Sequence, residues 1–145
     1  MCYMVCMSTD CADDLSRLSS DLVRFEKRSA ATYSPSPRVL KHEHRWFIGS
    51  KSGCSCTFRH LCHESVELGF GAPEDWFPEE PDEIHATHEL YRTLKDLVKH
   101  GHQVELLDCW SGDEQKEPVP LDVSMAQVSP EHFRLFERHL FTLRP

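Results

Sequence analysis

The segment Gly53-Cys54-Ser55-Cys56-Thr57-Phe58-Arg59-His60-Leu61-Cys62-His63 concentrates thiols and imidazoles in one short stretch of chain. Thiolate sulfur and neutral imidazole are the donors that zinc and other soft or borderline metals prefer, so the segment reads first as a metal site. Residues two apart in an extended chain project to the same side, which aims the sulfurs of Cys54 and Cys56 at one ion. The spacing is not that of a closed zinc finger, which has two separated ligand pairs; here a Cys-x-Cys runs straight into mixed His and Cys. Further ligands therefore have to come from beyond the pair. The expected set is Cys54, Cys56, His60 and Cys11, the last following the first strand and reaching the end of the third if those strands run parallel. Zinc is the preferred ion, with Cu(I) or iron as alternatives.

The same residues suit a thiol redox enzyme or sensor, because Arg59 or His60 beside a cysteine favours its thiolate. They also suit plain packing, since an unmodified cysteine behaves as a small hydrophobe. Cys2, Met4 and Cys6 share one face of the first strand, a soft surface for Cu(I) but equally what a buried strand needs. Cys109 reads as core or pocket lining, with Trp110 and Asp113 at its rim. His85 and His88, three apart on a helix, lack the His-Glu-x-x-His order of a metalloprotease. His42 and His44 alternate with charged residues, as on a wet approach to a strand. The acids between Glu74 and Glu83 do not follow the order of a calcium-binding helix-loop-helix, and Pro78 and Pro81 interrupt them. With Trp76 as anchor they offer a third reading, an interaction or inhibitor module for a basic protein partner. No glycine-rich phosphate loop follows a strand and no Gly-x-Ser-x-Gly elbow is present, so nucleotide binding and serine hydrolysis lack support.

The elements that must position these groups follow from periodicity. Cys2 to Ser8 is a continuous apolar run, a strand buried on both faces and central in its sheet. Asp21 to Lys27 alternates as a half-exposed strand, Ser29 to Arg38 with its prolines is a loop, and Arg45 to Gly49 is a third strand that delivers the chain into the cysteine segment. Leu68 to Asp82 is an irregular surface loop. An apolar stripe of Ile84, Leu90, Tyr91, Leu94, Leu97 and Val98 predicts a helix from Asp82 to His100, stopped by Gly101. Gln103 to Trp110 and Val119 to Val128 read as a hairpin, Ser129-Pro130-Glu131 as a helix start, and Arg138 to Leu143 as a closing strand. These elements predict a single α+β domain over residues 1–145, with a mostly antiparallel sheet of five or six strands and one long helix on one face.

A chain of 145 residues with a formal charge of −8 lacks the clustered cations that nucleic acid or an anionic membrane surface would require. The seven cysteines are odd in number and cannot form a complete disulfide framework within one chain. The apolar start carries no basic leader and gives way to Asp10, Asp13 and Asp14, which points to a cytoplasmic protein with reduced thiols.

Overall fold

The computed structural model describes residues 2–28 and 39–145. The proline-bearing loop read at 29–38 lies outside the described residues. Eight strands and one α-helix are present among those described: β1 (Tyr3–Thr9), β2 (Val23–Lys27), β3 (His44–Ser50), β4 (His60–Leu61), α1 (Pro81–Lys99), β5 (Val104–Trp110), β6 (Val119–Ser124), β7 (Leu135–Phe136) and β8 (His139–Arg144). Six of them form a sheet of order β2-β3-β1-β5-β8-β6, and β4 pairs with β7 in a small parallel sheet. Within the large sheet every neighbour is antiparallel except β6 against β8. The α+β class, the mostly antiparallel six-stranded sheet and the single long helix are as the sequence predicts.

The apolar run of β1 is interior because both of its faces are covered. Val5 and Met7 point with Ile48, Trp46 and Leu106 into the core beneath α1, which contributes Leu90, Tyr91, Leu94 and Val98. Cys6 pairs with Phe47 and Leu107 on the opposite face, where Val39 and Leu40 complete a second cluster. Cys6 and Cys109 are core residues there. Helix α1 begins with Pro81 at its first turn, carries Asp82 and Glu83 at its positive end and Lys99 at its negative end, and stops at Gly101, whose φ of 87° is open to glycine.

Three expectations are corrected. The hairpin of β5 and β6 does not form, because β8 lies between them. Pro118 and Pro120 explain the order: an interior strand must donate amides on both sides, so the proline-bearing strand takes the sheet edge. The strand from Val119 ends at Ser124 and turns through Met125–Gln127, where the Tyr91 hydroxyl reaches the carbonyl oxygens of Met125 and Val128 at 2.9 and 2.6 Å. No helix follows Ser129. The amides of His132 and Phe133 both return to the Ser129 carbonyl, and then burial of Phe133 and pairing of Leu135 with β4 draw the chain extended.

The acidic loop before α1 is irregular, with Trp76 64% exposed, but Glu79 is not solvated. Its carboxylate accepts from Arg59 Nε at 2.6 Å and Nη2 at 3.0 Å, and Arg134 Nη2 stands 3.8 Å away. All three side chains are at most 3% exposed. The remaining Arg59 donors are spent on the carbonyls of Gly71, Glu131 and Phe133. Removing one charge of a buried pair leaves the other uncompensated. Glu79→Gln is therefore expected to lower stability by about 3–5 kcal/mol in urea denaturation; a loss under about 1 kcal/mol, the scale of an exposed pair, would show that solvent reaches the guanidiniums.

Candidate metal centre

The thiols are positioned by the place where β3 leaves the sheet. The β1–β3 ladder stops at Val5↔Ile48. Beyond it, Ser50 turns the chain back: its amide and hydroxyl both donate to the Cys54 carbonyl, at 2.7 and 2.6 Å, and its carbonyl accepts from Gly53 N–H at 2.9 Å. Gly53 has φ 91°, which favours glycine, and a Cβ on Gly49 would stand 3.1 Å from the Gly53 oxygen, tighter than an ordinary contact.

The returning strand of chain takes over the rungs that β3 has vacated. Ser55 is fully buried; its hydroxyl donates to the Ile48 carbonyl at 2.6 Å and accepts from the Val5 amide at 2.9 Å, while its own amide donates to the Tyr3 carbonyl. With Ser55 turned inward, alternation turns Cys54 and Cys56 to the other side, toward Cys2 at the start of β1. The Sγ atoms of Cys2, Cys54 and Cys56 all lie within 4.8 Å of one another, and all three residues are half-buried. Sulfurs bound to one zinc at about 2.3 Å stand about 3.8 Å apart, so the cluster needs only a small contraction to hold an ion.

Behind the sulfurs stands a buried acid–base pair. His60 Nδ1 is 2.7 Å from Asp108 Oδ2, and Nε2 is 2.6 Å from the Ser55 carbonyl. A carbonyl only accepts, so Nε2 carries a proton, and a second proton is shared between Nδ1 and Asp108. Burial pulls the His60 pKa down, but the Asp108 charge and hydrogen bond and the Ser55 carbonyl outweigh it, and the net shift is upward. Burial raises Asp108 against the opposing pull of His60 and His139. The His60 ring stacks on Tyr3 at 3.9 Å, and Tyr3 on Trp110 at 4.3 Å, which fixes the imidazole plane.

Of the residues expected as ligands, Cys54 and Cys56 come together. Cys11 does not join them. β1 and β3 run antiparallel, so Cys11, beyond the far end of β1, sits buried beside the turn at Leu15–Leu18 and α1, and Cys2 takes the near end. His60 spends both ring nitrogens on Asp108 and Ser55 and is not part of the cluster. Cys62 donates to Ser65 Oγ outside the cluster. His85 is exposed and His88 partly so. Sequence reasoning left Cys2 on the core face with Met4 and Cys6, and it missed Asp108 altogether. The signal for Asp108 was available: a carboxylate at an inward position of the apolar strand Val104–Trp110 needs a buried partner.

Cys54 and Cys56 do not titrate alike. Partial burial raises the Cys54 pKa, but hydrogen bonds from the Ser52 hydroxyl, the Cys56 amide and the thiols of Cys56 and Cys2 more than offset it, and the group is held down to about 7. Cys56 is pushed up to about 12 by burial, by the hydrogen bond it gives Cys54 and by the charge there, against the lowering contact from the Tyr3 amide. Of this pair, Cys54 carries the negative charge first.

Two measurements check this electrostatics. Iodoacetamide labelling of the metal-free protein, followed by peptide mass spectrometry, is expected to modify Cys54 first, with a rate midpoint near pH 7, and to leave Cys56 unmodified at that pH. An unperturbed thiol profile at Cys54 would contradict the hydrogen bonds assigned to it. Because folded His60 holds its proton above the ordinary value of about 6.5, its contribution to stability is complete below that pH and is lost as pH rises through the raised folded value. The stability gap between the native protein and His60→Gln should accordingly narrow as pH rises above about 6.5, and a constant gap would mean that the proton is not taken up on folding.

No protein family, no curated protein and no solved structure matches this chain, so the chemistry of the cluster rests on its own geometry.

Proposed function

We propose that this protein is a cytosolic metal-binding protein that holds a thiophilic ion, zinc by preference, on Cys2, Cys54 and Cys56. The observation that carries the reading is the convergence of three sulfurs from two separate parts of the backbone to within 4.8 Å. Three thiols so close resist full ionisation, because each thiolate raises the next; a dication removes that repulsion and binds the thiolates it creates. Zinc accepts sulfur in tetrahedral geometry and needs no redox partner, while Cu(I) is the alternative suited to three sulfurs alone. Cys54 and Cys56 remain from the ligand set read in the sequence, Cys2 replaces Cys11, and His60 acts by holding the Ser55 carbonyl between the two ligands. The bound ion would tie the start of β1 to the turn after β3 and so stabilise the fold by binding linkage. Among the described residues no helix is long and apolar enough to cross a membrane.

A second reading, thiol redox chemistry, is favoured by one specific observation: Cys54 is held down to about 7 with two further thiols in reach. It needs no metal, and the same experiment separates the two. Protein purified without a histidine tag is expected to carry about one zinc per chain by elemental analysis. Cys54→Ser combined with Cys56→Ser should abolish that zinc, and Cys11→Ser should leave it. Undiminished metal in the double variant, with folding confirmed by circular dichroism, would remove the proposal.

A further inference from the structure

We infer that the zinc held by Cys2, Cys54 and Cys56 keeps a fourth coordination position open to solvent, and that this position takes a soluble thiol as its thiolate. The inference rests on the metal reading above and deepens it. Zinc bound by protein side chains is almost always four-coordinate, and sites with three protein ligands reserve the fourth place for an exogenous group.

Among the described residues the cluster contains only these three ligands. His60, the imidazole nearest in sequence, has both nitrogens engaged, at 2.7 Å on Asp108 and 2.6 Å on the Ser55 carbonyl. Cys62 is bonded to Ser65. Residues 29–38 and Met1 include no Cys, His, Asp or Glu. The three cysteines are half-buried instead of enclosed, and the exposed Ser52, whose hydroxyl lies 3.2 Å from Cys54 Sγ, stands beside them, so solvent reaches the edge of the cluster.

The ligand class follows from charge and softness. Zinc with three thiolates carries a net charge of about −1, which makes it a poor Lewis acid toward hard oxygen ligands and a good partner for polarisable sulfur. The step is an exchange: the thiol sulfur forms a bond to zinc, the water in the fourth position leaves, and the S–H proton passes to the solvent. No electron is transferred. The source of the sulfur, a free small thiol or a cysteine of another chain, is distinguished by the test.

Co(II) is substituted for zinc in the intact chain, with a phosphine as the only reductant, and the near-ultraviolet sulfur-to-cobalt absorption is recorded before and after adding 2-mercaptoethanol. The band of the untreated protein is expected to be lost in Cys54→Ser with Cys56→Ser. On adding thiol it should rise by about one third, as three thiolates become four, and saturate with the cobalt still protein-bound after ultrafiltration. Ethylene glycol, the hydroxyl counterpart, should produce no change. A band that ignores the thiol, or cobalt stripped into the filtrate, overturns the open position while leaving the metal site intact. A four-thiolate band before any addition, with a dimer on size exclusion, also overturns it and assigns the fourth sulfur to a second copy. Absence of any cobalt–thiolate band overturns the metal reading itself.

Discussion

The thiol cluster depends on the hold that the sheet has on Ser55. Its hydroxyl stands where a β1–β3 rung would otherwise be, taking the Val5 amide and supplying the Ile48 carbonyl. Both backbone groups are buried, and either left unmade costs about 1–3 kcal/mol. The demand of the sheet for paired backbone therefore fixes the serine, and the serine fixes its two neighbours. A Cys-x-Cys in a free loop would sample many separations between its sulfurs; here the central residue is pinned from inside, and Cys54 and Cys56 are left facing Cys2.

His60 and Arg59 extend that constraint in two directions. His60 receives the Ser55 carbonyl on one nitrogen and Asp108 of β5 on the other, so the turn after β3 is tied through the imidazole to the far neighbour of β1. Arg59 crosses in the opposite sense, binding Glu79 and the carbonyls of the two irregular segments at Gly71 and Glu131–Phe133. Its own amide donates to Thr87 on α1. Adjacent residues at the entry to the two-residue strand β4 thus gather the sheet, the helix and both long loops. The cost of burying these charges is offset only because nearly every polar atom of the network has a partner, with the donor Arg134 Nε and the acceptor Asp108 Oδ1 as its exceptions and Trp46 Nε1 and Arg138 Nε as the others among the described residues.

Much of this was legible along the chain. The apolar runs of β1 and β5, the stripe of α1 and its stop at Gly101 follow from local periodicity and conformational preference, and each stands within a residue or two of its expected place. Failures cluster where local signals compete with tertiary demands. Ser129-Pro130 has the chemistry of a helix start, but Phe133 is worth more in the aromatic core beside Phe70, Tyr91 and Phe141 than as one face of a short helix. Glu79 sits among acids that are solvated, and nothing in its immediate sequence separates it from Glu80; its partner lies twenty residues away.

By itself the sequence determined the supply of chemistry: sulfur at Cys54 and Cys56, both on one side of an extended segment, and strands apolar enough to be buried on both faces. Residue type and alternation are local properties, and they suffice for that. Which remote sulfur completes the cluster was decided only in three dimensions, because strand direction belongs to the sheet and not to either strand. Antiparallel pairing of β1 with β3 brings Cys2 to the turn and carries Cys11 to the other end, and the same packing commits both nitrogens of His60 to the interior.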